Sequence, residues 1–156
     1  MIHIYTDGSA RGNPGPGGYG VVLKCQNYMK ELAQGYKKTT NNRMELLAVI
    51  IGLEALKNPP QLVTIYSDSK YIVDAVQKGW LKNWLQIDFK GKKNPDLWKR
   101  FWLIYQKHRV DFCWIKGHAG HLENERCDEL AVKSSKQKGL LIDTYYETLN
   151  GQKASR

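Results

Sequence analysis

The stretch IHIYTDGSARGNPGPGGYGVVLKCQNYMKELAQGY, residues 2–36, decides the fold. Residues 2–6 read as a strand that ends at the Asp7-Gly8 dipeptide. Residues 8–18, GSARGNPGPGG, hold five glycines and read as a turn-rich loop. Residues 19–25 and 29–36 read as two more strands, and the short gap at Gln26-Asn27 implies a hairpin. The chain therefore opens with antiparallel strands.

Downstream the pattern alternates. Asn42 with Glu45 three residues on matches a capping box. Met44, Leu47, Ala48, Ile51 and Ala55 then recur at helical spacing until Asn58-Pro59-Pro60 stops them. Residues 62–67 form a fourth strand that ends at Asp68. Ser69 caps a helix to about residue 78, with Gly79 as terminator. Residues 81–94, LKNWLQIDFKGKKN, are basic and aromatic without clear periodicity. Asn94-Pro95-Asp96 is a helix start, and that helix runs to about residue 108. Residues 110–115 form a fifth strand, and the loop KGHAGHLE leads to a last helix over about 124–136. After Gly139 there is little periodic signal. The predicted order is β-β-β-α-β-α-α-β-α. Hairpins first and right-handed crossovers later give an α/β fold with a five-stranded mixed sheet and helices on its faces. One domain spans 1–156, with a tail from about residue 140 that is expected to be less ordered.

Bulk properties narrow the function class. The 156 residues suit one domain with a real core. Hydrophobic residues make up 42% and no apolar run approaches the roughly 18 residues of a membrane span, which excludes disordered and membrane-embedded classes. The first residues lack a basic region followed by an apolar run, so they read as the start of the fold and not as an export signal. Lysine and arginine total 24 against 15 acids, a net +9 that points to a polyanionic partner. Three cysteines, Cys25, Cys113 and Cys127, argue against a disulfide framework and for a cytoplasmic protein. Nothing in the pattern suggests an oligomer interface, so a monomer is expected.

Four acids stand at special places. Asp7 and Asp68 end the first and fourth strands, Glu45 lies in the first turn of the first long helix, and Asp128 lies early in the last. If the first and fourth strands are parallel neighbours, Asp7 and Asp68 sit side by side at the sheet edge where open α/β sheets bind ligands. Crowded acids raise one another's pKa, and a divalent cation removes that cost. Two such ions can activate water and stabilise a leaving oxygen in phosphodiester hydrolysis. Each acid also has a plain structural reading. Glu45 can be the cap partner of Asn42, Asp128 can answer the helix dipole, and Asp7 and Asp68 can form turns. Zinc held by Cys113, His118, His121 and Cys127 is disfavoured, because Cys113 lies in a strand pattern and no close Cys pair exists. Cys127 instead reads as a small buried side chain.

Four segments carry a family resemblance: YTDGSARGNPGPGGYG (5–20), TTNNRMELLAVIIGLEAL (39–56), IYSDSKYIVDAV (65–76) and IKGHAGHLENERCDELA (115–131). Together they resemble the type 1 ribonucleases H, the bacterial members in particular. The resemblance implies a site of Asp7, Glu45, Asp68 and Asp128 that holds Mg²⁺, with Mn²⁺ as a substitute. It implies endonucleolytic cleavage of the RNA strand of an RNA–DNA hybrid, leaving 5′-phosphate and 3′-hydroxyl ends. It implies a catalytic role for His118, on a loop, in moving protons or releasing product. It also suggests a substrate groove lined by Gly8, Ser9, Asn13, Asn41, Asn42 and Ser69, with Thr40, Asn13 and Arg43 placed to hold a phosphate. Main-chain groups at Gly8 and Ser9 can read 2′-hydroxyls across a minor groove. Trp80, Trp84, Lys82 and the lysines at 90, 92, 93 and 99 resemble the family's basic protrusion, and Lys70 adds a cation beside Asp68. Trp80 and Trp84 can equally be core residues. This chain departs from the best-known bacterial form in a shorter segment between Trp80 and Trp98. Two alternatives remain at this level: an integrase- or resolvase-type nuclease on the same fold, and a hybrid-binding module without catalysis.

Overall fold

A computed structural model describes residues 1–117 and 121–154, with side chains through 149. Three strands come first: β1 (Ile2–Ala10), β2 (Gly15–Cys25) and β3 (Tyr28–Thr39). There follow α1 (Asn41–Glu54), β4 (Leu62–Ser67), α2 (Lys70–Gln77), α3 (Trp80–Gln86), α4 (Pro95–Tyr105), β5 (Arg109–Trp114), α5 (Leu122–Ser135) and α6 (Thr144–Ala154). The five strands form one sheet in the order β3-β2-β1-β4-β5. β1 to β3 are antiparallel, whereas β4 pairs parallel with β1 and β5 pairs parallel with β4. This is the mixed α/β architecture expected from the sequence. No helix among the described residues is long and apolar enough to cross a membrane.

The core lies on the α1 side of the sheet. Ile4, Val21, Met44, Leu46, Ile50, Leu53, Ile65, Ile72, Trp98 and Phe101 are all fully buried. α1 is apolar nearly all round because it is covered by the sheet beneath and by α4 beside it. Tyr71, Trp84 and Phe101 meet the Trp98 ring edge to face, with centroids 5.5–5.7 Å away, and seat α2, α3 and α4 together.

The loop expected over 8–18 is much shorter. β1 continues through Asp7 and Gly8, β2 begins at Gly15, and only residues 11–14 turn. Gly18, with Gly20 and Gly35 beyond that segment, serves helix packing. A Cβ on Gly20 would lie 2.2 Å from the carbonyl oxygen of Cys127, and one on Gly18 would lie 2.5 Å from that of Ala131. On β3, a Cβ on Gly35 would lie 2.0 Å from the Ser134 carbonyl oxygen. These bare positions let the α5 backbone lie directly on β2 and β3.

Three further expectations shift. α1 is capped by Thr40, whose hydroxyl accepts from the Arg43 amide at 3.2 Å, so the helix starts at Asn41 and the Asn42–Glu45 capping box does not form. The segment 81–94 contains a helix, α3, that starts immediately after left-handed Gly79 (φ 75°). Described residues after Gly139 also take part in the fold. Leu141 exchanges hydrogen bonds with Gly35 and Lys37 at 3.0 and 2.8 Å, and α6 follows. Arg43 anchors this tail. Its guanidinium is 2% exposed as a residue and donates to Asp143 at 2.7 Å, to Asp96 at 2.7 Å and to Asn94 at 3.2 Å.

Gly20→Ala is expected to destabilise the protein by about 2 kcal/mol, the typical cost of overpacking. Thermal melts check this: an unchanged transition would mean that α5 can lift off β2 without loss.

Candidate active site

The site grows out of the parallel pairing of β1 with β4. The register that sets Ile2 against Val63 and Tyr5 against Tyr66 continues to place Asp7 beside Asp68. Asp7 is also the cross-strand partner of Gly20, so it lies on the sheet face that α5 covers. Glu45 arrives from α1 on the opposite face, past the end of the strand. Gly8 makes that possible: a Cβ there would lie 2.4 Å from the Glu45 amide nitrogen. The α1 backbone therefore rests on a bare strand position, which brings its first turn level with the end of β1. Oxygens of Asp7, Glu45 and Asp68 lie within 4.8 Å of one another. Asp128, carried by α5, lines the same open cleft of about 460 Å³ with Gly8, Asn41, Asn42, Ser69, Lys70 and Tyr71.

Electrostatics make this an unfavourable place for bare carboxylates. Burial raises the Asp7 carboxyl first and the charge of Asp68 second, and Asp7 is pushed up to about 7. The Gly8 amide, which donates to Asp7 Oδ1 at 2.9 Å, opposes the rise without cancelling it. Glu45 is held well above its ordinary range by burial, then by Asp7 and Asp68. Its Oε2 atom is buried and finds no hydrogen-bond partner among the described residues. A buried acceptor without a donor, beside two more carboxylates, fits a hard divalent cation with oxygen ligands.

The other expected site residues are grouped around this cluster. Asn41 and Asn42 are exposed at the start of α1. Asn41 Oδ1 accepts from the Ala10 amide at 2.6 Å, and Asn13 Oδ1 accepts from the Asn41 amide at 3.0 Å, so the 11–14 turn is tied to α1. Ser69 caps α2, its hydroxyl accepting from the Ile72 amide. Lys70 lies over the Trp114 ring, 4.5 Å from its centroid. Ser9 is half-buried in β1. Trp80 is 40% exposed with Lys78 over its ring, whereas Trp84 turns inward against Trp98. Lys82 is exposed on α3. Arg43 faces Asp96 and Asp143, so its charge is matched inside the protein. His118 lies outside the described residues. Cys127 is fully buried, as a small packing residue should be.

Sequence reasoning missed two supports of Asp68. The Trp114 indole donates to the Asp68 main-chain oxygen at 3.2 Å and ties the end of β5 to the end of β4. A Cβ on Gly117 would lie 2.9 Å from Asp68 Oδ2, so the loop after β5 closes tightly on the carboxylate. A tryptophan and a glycine just past a strand have no periodic signature. Only the parallel neighbour explains them.

Comparison with known proteins agrees with this geometry. The ribonuclease H family model (RNase H) matches residues 1–136. The chain is 54% identical to a ribonuclease H of Trichodesmium erythraeum (strain IMS101), over 94% of this chain and 96% of that protein. It is 49% identical to ribonuclease HI of Shewanella oneidensis (strain MR-1), over 94% and 95%. Among solved structures, LC9-RNase H1, a type 1 RNase H with the type 2 active-site motif, superimposes with a TM-score of 0.78 at 32% identity. The match covers 95% of this chain and 79% of that one. LC11-RNase H1, solved in complex with an RNA/DNA hybrid, matches with a TM-score of 0.66 at 31% identity, over 86% and 96%. The chain belongs to the ribonuclease H family.

The raised Asp7 pKa has a consequence for stability. Without metal, the folded protein keeps a proton on Asp7 that the unfolded chain releases near pH 4, so stability falls as pH rises from about 4 to about 7. Asp7→Asn removes this loss. In chelator at pH 8 the variant is expected to melt about 5 °C above the wild type, and no higher than it at pH 4. Adding Mg²⁺ at pH 8 should raise the wild type more than the variant. Parallel melting curves at all pH values would contradict the assignment.

Proposed function

We propose that the chain is an endonuclease that hydrolyses the RNA strand of RNA–DNA hybrids with Mg²⁺, leaving 5′-phosphate and 3′-hydroxyl ends. One observation carries this reading. In a chain of the ribonuclease H family, carboxylates from β1, α1 and β4 meet within 4.8 Å at the sheet edge, beside a buried acceptor without a donor. Asp7, Glu45 and Asp68 are the ligands that would hold the ion, and Asp128 completes the set from the rim of the cleft. Mg²⁺, or Mn²⁺ in its place, supplies Lewis acidity and an activated water when bound. The protein's own part is to fix the carboxylates in position before substrate arrives. Their crowding, without the ion, is the driving force for taking it up.

His118 is assigned proton transfer or product release on the strength of its GHAGH segment and the near-neutral titration of imidazole. For the hybrid, Gly8, Asn41, Asn42 and Ser69 line the cleft with the acids, Ser9 follows Gly8 in β1, and Asn13 and Thr40 hold the adjoining turn and helix start. Lys70, Trp80 and Lys82 extend the grip towards α3, which Trp84 holds in place against Trp98. Arg43 contributes by fixing the start of α1 and not as a free cation, because two carboxylates already match it. The hybrid bound to LC11-RNase H1 supports this substrate class. The protein is proposed to act as a single-domain monomer in the cytoplasm, with its cysteines reduced. The family match weighs against an integrase or resolvase, and the full set of four acids weighs against a binding module without turnover.

Cleavage of a hybrid with labelled RNA tests the proposal. The wild type with Mg²⁺ should cut the RNA strand and spare duplex DNA. Asp7→Asn, Glu45→Gln and Asp68→Asn should each lose activity by roughly a hundredfold or more. Asp128→Asn should lose less, because Asp128 lies outside the tight cluster. Tight hybrid binding with no cleavage in Mg²⁺ or Mn²⁺ would sink the reading.

A further inference from the structure

A second cleft, of about 640 Å³, adjoins the first. Asn41 and Asn42 line both, so the two are continuous along the start of α1. The far walls of the second cleft differ in kind. One side carries Lys92 and Lys93, exposed in the segment before α4. Neither is in an ion pair among the described residues, although Lys92 sits over the Trp84 ring at 5.8 Å. The other side is formed by α6, which contributes Tyr145, Tyr146 and Leu149.

Asp143 and Arg43 set where these tyrosines lie. Asp143, 8% exposed, accepts from Arg43 at 2.7 and 3.0 Å and from the Thr39 hydroxyl at 2.7 Å. It also accepts from the Tyr146 amide at the start of α6. The Tyr145 ring then stacks over the Arg43 guanidinium, 5.2 Å from ring centroid to Cζ. Tyr145 is nevertheless 40% exposed as a residue, and it lines the cleft. A half-exposed phenol side chain that is backed by a neutralised guanidinium and lines a cleft can serve as a stacking platform. Opposite it stand unpaired ammonium groups, which attract phosphates.

We propose that α6 completes the hybrid-binding face, with Tyr145 and Tyr146 forming an aromatic wall for the nucleic-acid strand that passes the start of α1. The inference rests on the hybrid-cleaving reading. It adds residues beyond 136, outside the part that the family model matches. The lysines neutralise the backbone and the tyrosines pack against a sugar or base. Asn41 and Asn42 pass the same strand on towards the acids. Because Arg43 is matched by Asp96 and Asp143, the free positive charge in this cleft comes from the lysines.

The double variant Tyr145→Ala/Tyr146→Ala tests this in the full chain. On a hybrid with labelled RNA, KM should rise about fivefold or more, with kcat lowered less than twofold. Tyr145→Phe/Tyr146→Phe keeps the rings and should restore KM, whereas Tyr145→Leu/Tyr146→Leu should not. A purely structural role predicts a lower melting temperature for both the alanine and leucine variants with no selective change in KM. In a second readout, a hybrid carrying 2-aminopurine in its RNA strand is titrated with cleavage-deficient Asp7→Asn protein. Its emission should change in the Tyr145/Tyr146 background and less once the rings are removed. An unchanged KM and an unchanged emission overturn the role of α6 while leaving cleavage by the wild type, and so the activity itself, intact. Absence of cleavage by the wild type would fail the activity instead.

Discussion

Placing three carboxyl groups within 4.8 Å of one another, one of them on a fully buried side-chain acceptor, is the constraint around which this chain is arranged. Like charges in a low-dielectric setting disfavour ionisation, and Asp7 and Glu45 are both raised as a result. No element of the fold would adopt this geometry for its own stability. It is imposed by stronger interactions elsewhere: parallel pairing of β1 with β4, and burial of the apolar α1 against the sheet. Gly8 is where these meet, since any side chain there would push α1 and Glu45 away from the strand. The site is thus a local conflict that the global fold maintains and a divalent cation resolves.

The same logic explains the glycine-rich opening segment. Gly18, Gly20 and Gly35 have no side chains because α5 must come down to the backbone of β2 and β3. That approach carries Asp128 to the cleft from the side of the sheet opposite α1. The four acids therefore come from four elements on two faces, and each is set by a different packing contact.

Much of the architecture was legible in the residues. The strand that ends at Asp68, the helical spacing after Met44 and the Asn94-Pro95-Asp96 start correspond to observed elements, whereas β1 runs on past Asp7 to Ala10. What misled was punctuation. Gly18 read as a turn residue, because its packing role depends on a helix more than a hundred positions later in the chain. The Asn42–Glu45 spacing matched a cap, but Thr40 does the capping and leaves Glu45 free to face the acids. α3 lacked a signal because its short length gives barely two turns, and it holds through Trp84 against Trp98, a contact with no local signature. The convergence of the acids, by contrast, could be argued from sequence only for Asp7 and Asp68. Glu45 and Asp128 needed either the family resemblance or the three-dimensional packing.

Arg43 shows how a residue's apparent role changes once its partners are known. Next to Asn41 and Asn42 at a helix start, it reads as a phosphate ligand. In the fold it is a buried cation whose nitrogens are taken by Asp96, Asp143 and Asn94. Removing water from a guanidinium is tolerated only with such partners, and removing one of them would leave a buried charge uncompensated. Arg43 therefore joins α1, α4 and the tail by one network. This is why residues 141–146 are held in place although the tail has no apolar periodicity of its own. A polar anchor can fix a terminal helix that hydrophobic burial would not. It can do so while leaving the outer face of that helix, here Tyr145 and its neighbours, facing the cleft beside the acids.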